Sequence, residues 1–191
     1  MELRFLSVGQ SQGEDFDDGM IDKISKVKIQ YNKQNIVAIA LFYDKRQMYK
    51  FHNFCCNAVS KFYFYVQEEE FIIEKDDCKY IAYLDLQQVS GTFDGRYITS
   101  LQFATYNGQS AHFKASCLGN QFYIENFGDT FSSCSGSFDT NGLTSLSFKV
   151  IPLNSTDQER IQNTILYLSY GSHYPQQYIP QFSQFLNYPQ N

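Results

Sequence analysis

Three stretches of this chain carry the same hydrophobic pattern. Ile36-Val37-Ala38-Ile39-Ala40-Leu41, Ile98-Thr99-Ser100-Leu101-Gln102-Phe103 and Leu143-Thr144-Ser145-Leu146-Ser147-Phe148 each read aliphatic, β-branched or Thr, small, aliphatic, variable, large apolar. Alternation of this kind marks half-buried strands, and a motif repeated at intervals marks architecture. A Phe-Asp turn stands upstream of each copy: Phe16-Asp17-Asp18-Gly19, Phe93-Asp94-Gly95, and Phe138-Asp139 with Gly142 following. Asp bonds its own backbone and Gly accepts positive φ, so all three are read as hairpin turns. Three copies of turn plus strand predict an all-β fold with threefold pseudosymmetry. A β-trefoil repeats threefold as well, and strand order decides between such folds.

The copies begin at residues 36, 98 and 143, so the first interval is the longest, and an insertion at about 45–70 accounts for it. That stretch is crowded with aromatics, among them Tyr49, Phe51, Phe54, Phe62, Tyr63, Phe64 and Tyr65. Residues 63–66 lack polar alternation, which suits a hairpin that docks on a partner. Glu68-Glu69-Glu70 closes the insertion and is read as a solvated turn. After Val150 the strand pattern stops. Ser155-Thr156-Asp157 supplies N-cap candidates for a short helix with Ile161, Ile165, Leu166 and Leu168 mostly on one face, ending near Gly171. Residues 172–191 are rich in Gln, Tyr and Pro and read as an extended arm, with Tyr174, Tyr178 and Phe182 as docking candidates. The expected organisation is a β domain over 1–150 and an appendage over 151–191.

Composition narrows the function. A net charge of −5 leaves no basic stripe for nucleic acid. Lys23, Lys26 and Lys28 alternate with apolar residues and read as the wet face of a strand. The first residues lack the basic start and apolar run of a secretory leader, and no apolar run is long enough for a membrane span, so a soluble intracellular protein, cytoplasmic or cytoskeletal, is expected. Five cysteines without framework spacing read as reduced thiols. His52, Cys55 and Cys56 lie close together but lack paired zinc-ligand spacing, and Asp15, Asp17 and Asp18 are better explained as turn residues than as a calcium site. No nucleophile, base or carboxylate pair stands out, so no enzyme, metal or cofactor is expected.

The order of these motifs resembles the jacalin-related lectins. The likeness runs from Val8-Gly9-Gln10-Ser11-Gln12-Gly13 through Phe16-Asp17-Asp18-Gly19, then Val89-Ser90-Gly91 with Ile98 to Phe103, then Leu143 to Val150. It implies a β-prism of three Greek-key, four-stranded sheets. It also implies a sugar site at one end, where a Gly-rich loop and a carboxylate bind sugar hydroxyls. Onto that site fall Gly9, Gly13, Asp139, Gly142 and Thr144. Gln10 and Gln12 replace further glycines, which is expected to hinder close backbone approach. The pattern Gly-x-x-x-Asp lands on Thr140 and Thr144, so the carboxylate is absent. The expected function is a protein-binding or structural subunit of a multi-subunit intracellular assembly built on a lectin scaffold; the alternative is a carbohydrate-binding lectin.

Overall fold

The computed structural model describes residues 4–19, 22–43, 66–73, 85–116, 118–126, 128–156, 158, 159, 161 and 162. Its strands are β1 (Arg4–Gly9), β2 (Glu14–Asp17), β3 (Ile24–Tyr31), β4 (Ile36–Tyr43), β5 (Gln67–Ile72), β6 (Leu86–Phe93), β7 (Ile98–Thr105), β8 (Ser110–Lys114), β9 (Asn120–Glu125), β10 (Asp129–Asp139) and β11 (Gly142–Pro152). They form three antiparallel sheets. The central sheet has the order β8-β7-β6-β9, a Greek key in which the fourth strand returns beside the first. The closing sheet, β1-β11-β10-β2, has the same order once β10 is counted first, because the two N-terminal strands complete a sheet begun by the last two. The first sheet comprises β4-β3-β5. The fourth strand expected there lies outside the described residues.

The strand repeat is confirmed in detail, and its spacing has a cause that simple alternation misses. Ile36, Ile39 and Leu41, with Ile98, Leu101 and Phe103 and with Leu143, Leu146 and Phe148, are all buried. Their first and fourth positions share the inner face because the second position is the extra residue of a β-bulge. Partners pass from Gln30↔Ala38 to Tyr31↔Ile36, from Thr92↔Ser100 to Phe93↔Ile98, and from Ser137↔Ser145 to Phe138↔Leu143. Val37, Thr99 and Thr144 are therefore equivalent bulge residues. A bulge adds local twist and re-aims side chains, which lets each sheet curl over a common interior. The aromatic part of that interior packs edge-on, with ring centroids 5.2 Å apart for Phe131 and Phe148 and 6.3 Å for Phe103 and Phe148. Such pairs add about 0.5–1.5 kcal/mol each beyond area burial.

Two turn assignments and one helix cap need correction. The hairpin turn before Ile36 starts at Asn32, not at Phe16-Asp17. Asn32 Oδ1 accepts from the Gln34 and Asn35 amides at 2.7 and 2.8 Å, as Asp94 Oδ1 does from Arg96 and Tyr97 at 2.8 and 2.7 Å. Asp139 Oδ1 accepts from Asn141 at 2.7 Å. Phe16 instead belongs to β2 opposite Gly136; a Cβ on that glycine would lie 3.1 Å from the Phe16 ring. Glu68, Glu69 and Glu70 are not a turn. They sit on β5, paired with Gln30, Ile29 and Lys28 of β3 respectively, so the stretch expected as an insertion overlaps this strand from Gln67 onward. A helix does start at Ser155, but Asn154 occupies the cap position, its carbonyl accepting from the Gln158 amide at 2.9 Å. Buried Ile161 joins Tyr106 and Leu153 in a small satellite cluster. The rest of that helix and the arm lie outside the described residues.

Candidate functional site

At one end of the prism the closing-sheet hairpin meets the β1–β2 loop, and the five residues expected to touch sugar gather there. Gly13 has φ +90°, and a Cβ on it would sit 2.2 Å from the Phe138 carbonyl oxygen. Gly9 is equally confined, its Cβ position 2.3 Å from the Thr144 oxygen. The loop rests on the closing hairpin: the Gln10 amide donates to the Thr144 carbonyl at 3.1 Å and the Gln12 amide to Ser137 Oγ at 3.0 Å, while both residues stay exposed. Thr144 is fully buried; its hydroxyl donates to the Gln12 carbonyl at 2.7 Å and lies 2.8 Å from Ser137 Oγ. An ionised carboxylate only accepts, so the donor that seats the loop is one an Asp would not supply.

Asp139 is also committed to the fold. Its Oδ2 accepts from the Tyr97 hydroxyl at 2.8 Å and faces Arg96 at 3.4 Å, while Oδ1 holds its own turn. Burial, with the Asp139 carboxylate adding to it, pushes the Tyr97 phenol up. Gly142 packs on the first-sheet hairpin, where a Cβ would meet the Ile36 oxygen at 2.7 Å; Asn35 Nδ2 donates to the Asn141 carbonyl at 3.1 Å. These bonds tie the three hairpin tips together.

The central sheet copies the closing sheet closely. Thr92, Thr99 and Ser100 take the places of Ser137, Thr144 and Ser145, with hydroxyl separations of 2.6 and 2.8 Å. Thr99 donates to the Leu118 carbonyl at 2.8 Å, as Thr144 does to Gln12. Gly119 has φ +112°, and its Cβ position is 2.3 Å from the Phe93 oxygen. The first sheet departs from this scheme, having Gln30, Val37 and Ala38 in place of the hydroxyls. Register places Val66, just before the Gln67↔Tyr31 pair, where Gly13 and Gly119 precede Glu14↔Phe138 and Asn120↔Phe93. A valine cannot lie against the preceding hairpin carbonyl as those glycines do. A cleft of about 330 Å³ is found there, lined by Tyr31, Asn32, Lys33, Val66, Gln67 and Lys114.

Sequence reading missed this cleft. The available signal was the offset of Asn32, four residues before its strand copy, as Asp94 and Asp139 are before theirs. Behind the cleft the Tyr31 hydroxyl donates to Glu69, a bond that with burial pushes the phenol up to about 12. On the outer face of the same sheet Lys28 pairs with Glu68 at 2.5 Å, and Lys26 with Glu70 at 3.3 Å. The Lys28 ammonium holds the Glu68 carboxyl below its ordinary value, and Glu68 in turn raises Lys28.

Tyr49, Phe51, Phe54, Tyr63, Tyr65, Tyr174, Tyr178 and Phe182, the candidate docking residues, lie outside the described residues, as do His52, Cys55 and Cys56. Cys134 is buried in the core. Among the described residues, no group of three or more His, Cys, Asp and Glu side chains is placed to hold a metal. Asp17 Oδ1 accepts from the Gly19 amide at 2.8 Å, and Asp15 from Ser11 Oγ at 2.9 Å. Among the described residues no helix is long and apolar enough to cross a membrane.

Comparison with known proteins agrees with this geometry. Among solved structures, the chain is similar to a mannose-specific jacalin-related lectin from Morus nigra in complex with mannose (15% identity, TM-score 0.61, 80% of this chain and 96% of that one). Frutalin from Artocarpus incisa gives 18% identity and TM-score 0.58, covering 79% and 97%. A prostate-specific WGA16 glycoprotein lectin gives 13% and 0.55, covering 81% and 94%. A search of curated proteins finds no match. The family model for the jacalin-like lectin domain matches residues 6–149, most of the chain and all eleven strands apart from the outer ends of β1 and β11. Given that match and the three bulged antiparallel sheets, the chain belongs to the jacalin-like lectin domain family.

Proposed function

We propose that this protein is a non-catalytic carbohydrate-binding module whose sugar contacts come from the first-sheet cleft and not from the closing loop. The observation that carries this reading is the contrast between the two hairpin ends. The closing loop is packed down on a buried Thr144, whereas the equivalent place beside Val66 is a cleft. Asn32 and Gln67 on its rim carry amides, which both donate and accept and so suit sugar hydroxyls. The family relationship supports the ligand class, and one structural relative is described as mannose-specific. The reading as a subunit of an intracellular assembly rests on segments outside the described residues, and the described residues add no observation in its favour.

A glycan array followed by titration with mannose and galactose tests this. The intact protein is expected to bind at least one glycan. Gln67→Ala should weaken that binding about tenfold, the scale of one lost hydrogen bond to ligand, with unchanged thermal stability. If the folded protein ignores every arrayed glycan, the carbohydrate reading fails. Binding that is untouched by Gln67→Ala but lost on altering the β1–β2 loop would move the site back to the closing sheet.

A further inference from the structure

In each sheet one outermost strand lies beside the first strand of the hairpin: β5 against β3, β9 against β6 and β2 against β10. An outer edge presents unpaired amides and carbonyls to any extended chain, and charged side chains are a common guard against such pairing. β5 carries Glu68, Glu69 and Glu70, and β2 carries Glu14, Asp15 and Asp17. β9, Asn120-Gln121-Phe122-Tyr123-Ile124-Glu125, has a single charge, at its last residue. Tyr123 on this strand is 61% exposed, and Leu118 shortly before it 72%. Among the described residues, the backbone of β9 is paired with β6 and with no other strand.

The direction of the free backbone groups follows from one bond. The Asn126 amide donates to the Gln87 carbonyl at 3.0 Å, towards β6. Backbone groups alternate along a strand, so Asn120, Phe122 and Ile124 aim theirs at β6, while Gln121, Tyr123 and Glu125 aim theirs outward. Side chains divide in the same way. Phe122 and Ile124 pack against the core, whereas the Tyr123 hydroxyl donates to Gln88 Oε1 at 3.1 Å on the outer face.

A second copy meeting this edge antiparallel, with a two-fold axis through Tyr123, finds a fitting residue at each position. Tyr123 faces the partner's Tyr123, Phe122 faces the partner's Ile124 on the inner face, and the Gln121 amide faces the partner's Glu125 on the outer face. Cross-strand pairs of these kinds stabilise a sheet. The two Glu125 carboxylates stand at opposite ends of the seam, and each accepts from Gln87 of its own chain at 3.3 Å. An axis through Phe122 instead sets polar Asn120 against Ile124 and leaves Glu125 outside the pairing.

We propose that β9 is a self-association edge, through which two copies join their four-stranded central sheets into one continuous sheet. The pairing is independent of what the domain binds. Its seam is short, so association weaker than about 1 μM is expected.

Sedimentation velocity of the full chain from about 5 μM to about 500 μM should show a monomer–dimer equilibrium. Tyr123→Pro removes an outward amide and no bond to β6. It should raise the dissociation constant about tenfold or more, the scale of lost seam hydrogen bonds, with the thermal midpoint kept. Gln121 is exposed, so its variants test the register without disturbing the fold. Gln121→Glu sets a carboxylate opposite the partner's Glu125 at both ends of the seam and should weaken the dimer about fivefold; Gln121→Lys should tighten it about fivefold. Both differences should shrink in about 1 M salt. A chain that stays monomeric over the whole range overturns the proposal. So does a dimer indifferent to Tyr123→Pro, or one that responds in the same direction to Gln121→Glu and Gln121→Lys, because either places the contact elsewhere.

Discussion

The closing-sheet and first-sheet hairpins begin from the same plan and reach opposite ends. Each has an Asx-capped tip, a bulge at the second strand position and an aromatic facing the start of the neighbouring strand. In the closing sheet, Gly13 lets the incoming chain rest on the Phe138 carbonyl, and the Ser137–Thr144–Ser145 hydroxyls fill what space remains. In the first sheet Val66, Val37 and Ala38 stand at the matching positions, and a cleft borders Val66. The skeleton follows from hydrophobic spacing and turn chemistry, while the two ends differ at one position, a glycine at φ +90° in the closing sheet and a valine bordering a cleft in the first. Similarity of fold therefore locates equivalent ends without saying which is vacant.

Exchanging those residues breaks the comparison if it is wrong. Gly13→Val places a branched side chain at φ +90° against a carbonyl oxygen. A loss of about 3 kcal/mol or more is expected, read by urea denaturation. A loss under about 1 kcal/mol would show that the loop has room to lift. The reciprocal change, Val66→Gly, should cost about 1 kcal/mol through added backbone freedom and draw the chain toward the Tyr31 carbonyl. A crystal structure of the variant with the cleft unaltered would remove Val66 as its cause.

The smallest effect concerns the ladder behind the cleft. Glu68→Gln should lower stability by only a few tenths of a kcal/mol, because Glu68 is solvent-exposed and Lys28 only half-buried, which leaves the pair screened. The Glu68 carboxyl is depressed in the fold, so its contribution is present above the unfolded-state value and fades as pH falls through the folded one. Denaturation midpoints of variant and parent should therefore differ at neutral pH and converge in acid. A constant difference across the carboxylate range would mean that packing, not charge, is what the substitution removes.

Much of the fold was legible because the apolar positions of β4, β7 and β11 recur with one spacing, and burial enforces it. The bulges were not, although the three-residue step from Ile36 to Ile39, Ile98 to Leu101 and Leu143 to Leu146 is their trace. Phe16-Asp17 misled because the dipeptide that makes a turn in two copies also suits a strand end, where its aromatic covers Gly136. Glu68, Glu69 and Glu70 are exposed, as three adjacent charges suggest, but the turn read from them is a strand. On a strand opposite Lys26 and Lys28, however, two of them find cations, and the third finds a phenol. At the site, the loss of the closing carboxylate was readable at Thr144, but the cleft beside Val66 is placed by the pairing of Gln67 with Tyr31, many residues away, and local sequence carries no such pairing.

The strand order of the closing sheet bears on how the chain is made. β1 and β2 are synthesised before every other described strand of the domain, yet their partners β11 and β10 are synthesised after every other one. The first and central sheets can close from neighbouring hairpins, whereas this one must join segments separated by almost the whole domain. Pairings of such long range form slowly and leave strand edges exposed in the meantime. The last event of folding is then the docking of the amino-terminal ribbon, and a nascent chain halted before residue 129 would carry it unpaired.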